Sequence, residues 1–177
     1  MVRWQKTKKE IIARAKHIAM THEKKFKGCG QCTFMAIIDA LRWGGIELIT
    51  EDEEKKLFPG ISLLTAGVGM TGDGTCGAVA SSAIAFGIAA GAPMDSTDVN
   101  AIRQTAAAFR VTLMKKYYQK YGSILCKDVQ RKYFGKAWDL TDDAMTREFL
   151  GITRGCAIIE TAPWATGIIL DELEKRK

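Results

Sequence analysis

Four of the five cysteines occupy positions where a helix is predicted to begin. Cys32 and Cys156 each open an apolar run after glycine, Cys76 follows a glycine-rich turn, and Cys126 comes three residues after a serine. Because a helix N-terminus carries about half a positive charge, a thiol placed there has a lowered pKa and more thiolate character. Thiolates bind soft metals and iron–sulfur clusters and attack disulfides, so these cysteines are candidates for a sulfur centre.

Sequence spacing alone leaves several uses of these thiols open. Zinc fingers and ribbons place their ligands in close pairs, whereas only Cys29 and Cys32 form a C-x-x-C pair here. A single C-x-x-C without surrounding strands is weak evidence for zinc or for a thioredoxin-like site. Covalent c-type haem is excluded because no C-x-x-C-H sequence occurs. Inert thiols buried in the core are a further alternative, since cysteine is a small and often buried residue.

Composition favours one domain over residues 1–177, in a reducing cytoplasm. The chain is 47% hydrophobic, which is enough for a sizeable core. No secretory signal is visible, and the longest low-charge stretch, 78–94, is short for a membrane span. In the cytoplasm, several cysteines indicate metal or redox use more than structural disulfides.

The net charge of +6 originates in one segment, a predicted basic amphipathic helix within residues 1–27. This segment holds nine Lys or Arg residues, two acidic residues, and both histidines, His17 and His22. The charge is typical of a solvated helix face, and it would also suit docking of an acidic redox partner protein. No nucleic-acid motif accompanies this charge, so nucleic acid is not expected as a partner. A membrane is not expected either, because the sequence shows no stretch long enough to span one. The sequence leaves the oligomeric state open, a homodimer included.

Hydrophobic periodicity and capping residues predict an all-α fold, a compact bundle of about eight or nine helices. We expect helices at 4–25, 30–43, 50–57, 60–67, 75–90, 97–121, 124–134, 141–150 and 155–174. In the sixth helix, a buried stripe is predicted at Ile102, Ala106, Phe109, Leu113 and Tyr117. The glycine-rich segment 67–74 lacks the ending of a P-loop. We expect it to pack closely beside Cys76, with N–H groups free to bond sulfur.

Four short motifs resemble, in order and rough spacing, the C-GCAxxG-C-C family of redox-active proteins. They are Gln31-Cys32-Thr33, Gly72-Asp73-Gly74-Thr75-Cys76-Gly77-Ala78, Tyr121-Gly122-Ser123-Ile124-Leu125-Cys126 and Gly155-Cys156-Ala157. The resemblance runs from about residue 29 to residue 173, and some relatives are fused or related to split-Soret-type cytochromes. It implies a small helical redox protein whose family cysteines are Cys32, Cys76, Cys126 and Cys156, with Cys29 additional.

Three devices could use these thiols, and the resemblance favours the first. It is a [2Fe–2S] or [4Fe–4S] iron–sulfur cluster bound by Cys32, Cys76, Cys126 and Cys156, used for electron transfer more than for converting a substrate. The second is a thiol–disulfide oxidoreductase using Cys29 and Cys32, and the third is a zinc-stabilised interaction module.

No catalytic residue is assigned from the sequence. Asp73, Asp128 and Glu160 lie near three of the cysteines along the chain. They are interpreted as capping or solvated side chains, because carboxylates at such positions commonly cap helices.

Overall fold

Helices form nearly all the regular structure of this protein. The computed structural model describes residues 4–93, 96–152 and 156–176. Within these ranges there is no strand, only an isolated bridge between Thr75 and Leu125. The predicted all-α bundle is confirmed. The helices are α1 Lys8–Phe26, α2 Cys29–Trp43, α3 Glu51–Ser62, α4 Gly77–Ala90, α5 Val99–Phe109, α6 Lys115–Tyr121, α7 Cys126–Phe134, α8 Asp143–Ile152 and α9 Ile158–Lys175.

The basic first helix is fixed at both of its ends by local interactions. At its start, the Glu10 N–H donates to the Thr7 hydroxyl at 3.3 Å, and the Thr7 N–H donates to the Glu10 carboxylate at 2.8 Å. This reciprocal capping box pairs two backbone N–H groups, those of Thr7 and Glu10, that the start of the helix would otherwise leave without a partner. Lys27 ends the helix in a left-handed conformation, which turns the chain directly into α2 and its first cysteine.

Four helices enclose the main core. Helix α2 packs against α1, α4 and α9, and α9 also contacts α1 and α4. The largest contribution comes from buried aliphatic and aromatic side chains, among them Ile11, Ile37, Leu41, Phe86 and Ile169. Pro163 lies inside α9, in its first half. No helix in the described part of the chain is long and apolar enough to cross a membrane.

The predicted sixth helix is continuous from Val99 to Tyr121 but contains a π-helical turn at Arg110–Met114. Such turns shift the register of a helix and are frequent at functional sites. Beyond the turn, Leu113 and Tyr117 are buried as predicted. Before it, the predicted stripe is corrected at Ile102, which remains 53% exposed, and at Ala106, which is also exposed. Phe109 is half-buried and packs against the main core.

The predicted helices 50–57 and 60–67 are corrected to a single helix, α3, followed by a left-handed turn. Pro59 lies inside α3, and the helix ends at Ser62. Residues 66–70 all adopt positive φ angles, which a right-handed helix cannot accommodate. The predicted start of the last helix at residue 155 lies outside the described residues.

Candidate functional site

Four cysteines from separate segments, Cys29, Cys76, Cys126 and Cys156, lie together at the helix ends. Burial raises the pKa values of Cys126 and Cys156, and the nearby Cys29 sulfur raises both further. At Cys76, the hydrogen bond to Cys29 makes the largest contribution to a raised pKa. Cys126 and Cys156 also act on Cys76. Each of the other three thiols is thus within electrostatic reach of Cys29.

Cys29, and not Cys32, is the cysteine that opens α2. Gly28 is the N-cap, and the Cys32 N–H already donates to the Gly28 carbonyl at 3.0 Å as part of the helix. Cys32 is fully buried in the main core, and burial raises its pKa to about 12. The structure therefore brings Cys29 to the three other family cysteines and places Cys32 one turn deeper, among apolar side chains.

The sulfur of Cys29 is surrounded by groups that stabilise negative charge. The thiol of Cys76 acts on it most strongly and lowers the pKa of Cys29, while burial opposes this effect. Backbone N–H groups of Ala66 and Gly77 lower it further, and the Ala66 nitrogen lies 3.4 Å from the sulfur. The net result is a pKa of about 7, so Cys29 is the thiol most readily converted to thiolate.

A left-handed turn over residues 66–70 delivers this N–H group. Three of its non-glycine residues, Ala66, Val68 and Met70, have φ angles of 53°, 64° and 64°. A left-handed conformation costs roughly 1–2 kcal/mol for each such residue. Backbone hydrogen bonds hold the turn, and in one of them the Gly69 N–H donates to the Leu63 carbonyl at 2.7 Å. Strain of this kind is found at functional sites more often than elsewhere. The bond to sulfur expected from segment 67–74 thus comes from the residue just before it.

Backbone hydrogen bonds hold the second and third cysteines side by side. The Cys76 N–H donates to Ile124 at 2.7 Å, and the Cys126 N–H donates to Gly74 at 2.9 Å. Cys76 is itself the N-cap of α4. The glycine-rich turn and the start of α7 are therefore joined at the point where both carry a cysteine.

Gln130 is a site residue that sequence analysis missed. Its side-chain amide N–H donates to the Cys126 sulfur at 3.2 Å, and its side-chain carbonyl oxygen accepts a hydrogen bond from the backbone N–H of Trp138 at 2.9 Å. The second bond fixes the orientation of the amide, and the side chain is 1% exposed. Its position four residues after Cys126, on the same helix face, is a signal that could have identified it.

The fourth cysteine and two tyrosines form an apolar cluster with Cys76. Cys156, with a φ angle of 33°, precedes α9 and packs with Cys76, Tyr117 and Tyr121. The Tyr117 hydroxyl is buried beside Cys76. The side of the Cys76 thiol that faces this cluster is shielded from water, because the residues that cover it are aromatic or aliphatic.

The nearby carboxylates bond to other groups. Asp73 pairs with Lys127, Asp128 accepts a 2.9 Å hydrogen bond from Ser123, and Glu160 accepts a 2.6 Å hydrogen bond from Tyr121. These contacts agree with the structural roles expected of the three acids. The histidines lie on α1, where His22 pairs with Asp39 at 2.8 Å.

The donor arrangement bears on which metal could bind. Among the described residues, no group of three or more His, Cys, Asp or Glu side chains could hold a metal ion as it stands. A structural zinc site needs four donors about 2.0–2.3 Å from one point. The cysteines therefore do not form a preformed zinc site.

Comparison with known proteins identifies one family. The family model described as "Putative redox-active protein (C_GCAxxG_C_C)" matches residues 28–159, a span that contains all five cysteines. No curated protein matches the chain significantly, and no solved structure does so either.

Gly77 provides a test of how closely the site is packed. A Cβ atom there would lie 2.7 Å from the Cys29 sulfur and 2.7 Å from the Leu64 carbonyl oxygen, whereas a Cβ at Gly87 on the same helix meets nothing within 4 Å. We expect Gly77→Ala to destabilise the iron-free protein by about 1–3 kcal/mol through overpacking. The matched Gly87→Ala should stabilise it by up to about 1 kcal/mol through helix propensity. Urea unfolding measures both, and equal effects would contradict the packing.

The pKa of Cys29 predicts a pH-dependent reactivity. In reduced, iron-free protein, alkylation by iodoacetamide should accelerate as pH rises through about 7, because the thiolate is the nucleophile. The raised pKa values of the other site cysteines keep them protonated over this range. Mass spectrometry of samples quenched at successive times gives the alkylation rate. Cys29→Ser should abolish the increase in this rate near pH 7. An increase that persists in this variant would assign the reactive thiol elsewhere.

Proposed function

The chain belongs to the C_GCAxxG_C_C family of redox-active proteins, and we propose that Cys29, Cys76, Cys126 and Cys156 form its redox centre by binding an iron–sulfur cluster. The observation that carries the proposal is the convergence of four thiols, from distant segments, around the Cys29 sulfur. Cys29 takes the place that the sequence assigned to Cys32. The function is electron transfer.

The donor set fits an iron–sulfur cluster by its chemistry. Four cysteines are the usual ligand set of both [2Fe–2S] and [4Fe–4S] clusters, which supply one-electron redox chemistry when bound. Unlike a single zinc ion, a cluster has several metal atoms, so its ligands need not converge on one point.

Groups of this chain would stabilise the sulfur ligands. The Ala66 N–H and the Gln130 amide direct hydrogen bonds at Cys29 and Cys126. Hydrogen bonds to sulfur and low solvent exposure both set the potential of such a centre. The positive ends of α2, α4 and α7 lie at Cys29, Cys76 and Cys126, which favours negative charge on these sulfurs.

A second candidate function, thiol–disulfide exchange, is favoured by the hydrogen-bonded pair Cys29 and Cys76. The Cys29 thiolate would attack a substrate disulfide and release the first substrate thiol. Cys76, after losing its proton, would attack the mixed disulfide and release the second. The protein would finish with a Cys29–Cys76 disulfide and the substrate as two thiols. This pair replaces the Cys29 and Cys32 pair expected from the sequence.

Two cysteine variants on the same helix test the assignment. We expect Cys29→Ser to lose most bound iron and sulfide after anaerobic purification, because it removes a ligand. Cys32→Ser should retain both, since Cys32 lies in the main core. Iron and sulfide analysis with a visible spectrum measures the result.

The reverse pattern would return the ligand role to Cys32. Wild-type protein that carries neither iron nor sulfide, yet forms a Cys29–Cys76 disulfide under mild oxidation, would favour the second candidate function.

We also propose an acidic redox partner, docking beside the redox centre at the C-terminal end of α1. Lys24, Lys25 and Lys27 are exposed there and directly precede Cys29 in the chain. Elsewhere on the basic segment, Lys8 pairs with Asp171. Clustered positive charge near a redox centre raises the encounter rate with an anion, and salt screens this effect.

Small redox reagents of opposite charge test this surface without an identified partner. Changing Lys24, Lys25 and Lys27 to Gln should slow electron exchange with the hexacyanoferrate(III) anion at low salt by about threefold or more. Stopped-flow absorbance gives the rates, and the hexaammineruthenium(III) cation should show no slowing. A control triple variant, Arg103→Gln, Arg110→Gln and Lys175→Gln, changes the net charge equally on α5, the π-helical turn and α9. Equal slowing in both variants would show that only net charge matters.

A further inference from the structure

The hydroxyl of Tyr117 is a polar group that neither the fold nor the ligand set explains. The residue is 0% exposed, and its hydroxyl has no hydrogen-bond partner of good geometry among the described residues. Leaving a buried donor unpaired costs roughly 1–3 kcal/mol. Phenylalanine would fill the same space without that cost. We therefore expect the functional state of the protein to contain a hydrogen-bond acceptor for this hydroxyl.

The hydroxyl is placed against the sulfur centre. Tyr117 packs with Cys76 and Cys156. Burial raises the pKa of its hydroxyl, and the Cys76 sulfur raises that pKa further through its charge and a hydrogen bond. A neutral thiol sulfur is a weak hydrogen-bond acceptor, whereas a thiolate or metal-bound sulfur is a strong one. The acceptor that the hydroxyl lacks is therefore created when the Cys76 sulfur gains negative charge.

The surroundings hold Tyr117 in this orientation. Its ring lies 4.6 Å from the ring of Tyr121, centroid to centroid, at an interplanar angle of 45°. The Tyr121 hydroxyl donates to Glu160 at 2.6 Å, which anchors the pair to α9. The π-helical turn at Arg110–Met114 ends three residues before Tyr117 and sets the register of its helix face.

We propose that Tyr117 is a positioning residue of the redox centre, and that its hydroxyl donates a hydrogen bond to the Cys76 sulfur and stabilises the reduced centre. This inference rests on the proposed redox function. Reduction of a bound cluster adds negative charge that its sulfur ligands share, and a hydrogen bond to one of them favours the reduced form. The hydroxyl therefore raises the reduction potential of the cluster.

Tyr117→Phe removes this hydroxyl, and Tyr121→Phe is the matched control because its hydroxyl bonds to Glu160 instead of sulfur. We expect Tyr117→Phe to lower the equilibrium constant for reduction of the bound cluster about tenfold, which is about 59 mV for a one-electron centre. Tyr121→Phe should leave it within about twofold. Anaerobic dye-equilibrated titration of the purified full chain, followed by its visible spectrum, gives the potentials.

Stability of the iron-free, reduced protein provides a second readout. Because the Tyr117 hydroxyl has no partner there, Tyr117→Phe should not lower the midpoint of urea unfolding, whereas Tyr121→Phe should lower it by losing the bond to Glu160. A reducible centre with equal potentials in Tyr117→Phe and wild type would overturn the inference alone. Absence of any reducible centre in all three proteins would overturn the proposed function, and the inference with it.

Discussion

Negative charge on buried sulfur is the constraint on which the rest of this structure depends. The Cys29 sulfur sits between the start of α2, the left-handed turn and the start of α4, where burial alone would raise its pKa. The Ala66 N–H and the Cys76 thiol reverse that effect. A dry site strengthens such electrostatic contacts, because little solvent competes for them. The arrangement that stabilises the Cys29 thiolate is also suited to a redox centre held by four cysteine thiolates.

The structure gives up local stability to build this site. Three non-glycine residues remain in left-handed conformations in the turn at 66–70, and Tyr117 buries an unpaired hydroxyl. Neither feature helps the main core, which lies chiefly between α1, α2, α4 and α9. The left-handed turn and the unpaired Tyr117 hydroxyl instead lie beside the cysteines, as expected of a region shaped by function more than by stability.

Sequence analysis predicted the elements with strong local signals. Caps and apolar periodicity located most of the helices and the all-α class, and Cys126 lies at a helix start as expected. The turn after α3 gives no such signal, because Ala66 and Val68 adopt positive φ angles that non-glycine residues rarely take. Local propensity favours a right-handed helix there, and tertiary packing overrides it.

The choice between Cys29 and Cys32 rests on packing that the sequence does not carry. Both belong to the same helical turn, so their spacing cannot show which one faces the other cysteines and which one faces the core. The helix begins one residue after Gly28, which puts Cys29 at its first position. The spacing of Gln130 from Cys126 indicates a shared helix face, and the sequence marks Tyr117 only as a buried side chain. The sulfur neighbour of each residue becomes visible only in the packing of α6 and α7.

Iron K-edge X-ray absorption of the anaerobically purified protein tests the central claim most directly, because it reports the atoms around each iron. The account predicts a first shell made only of sulfur and a second shell containing iron, as in a cluster held by cysteines. A first shell containing nitrogen or oxygen, or an iron signal at background level, would contradict it.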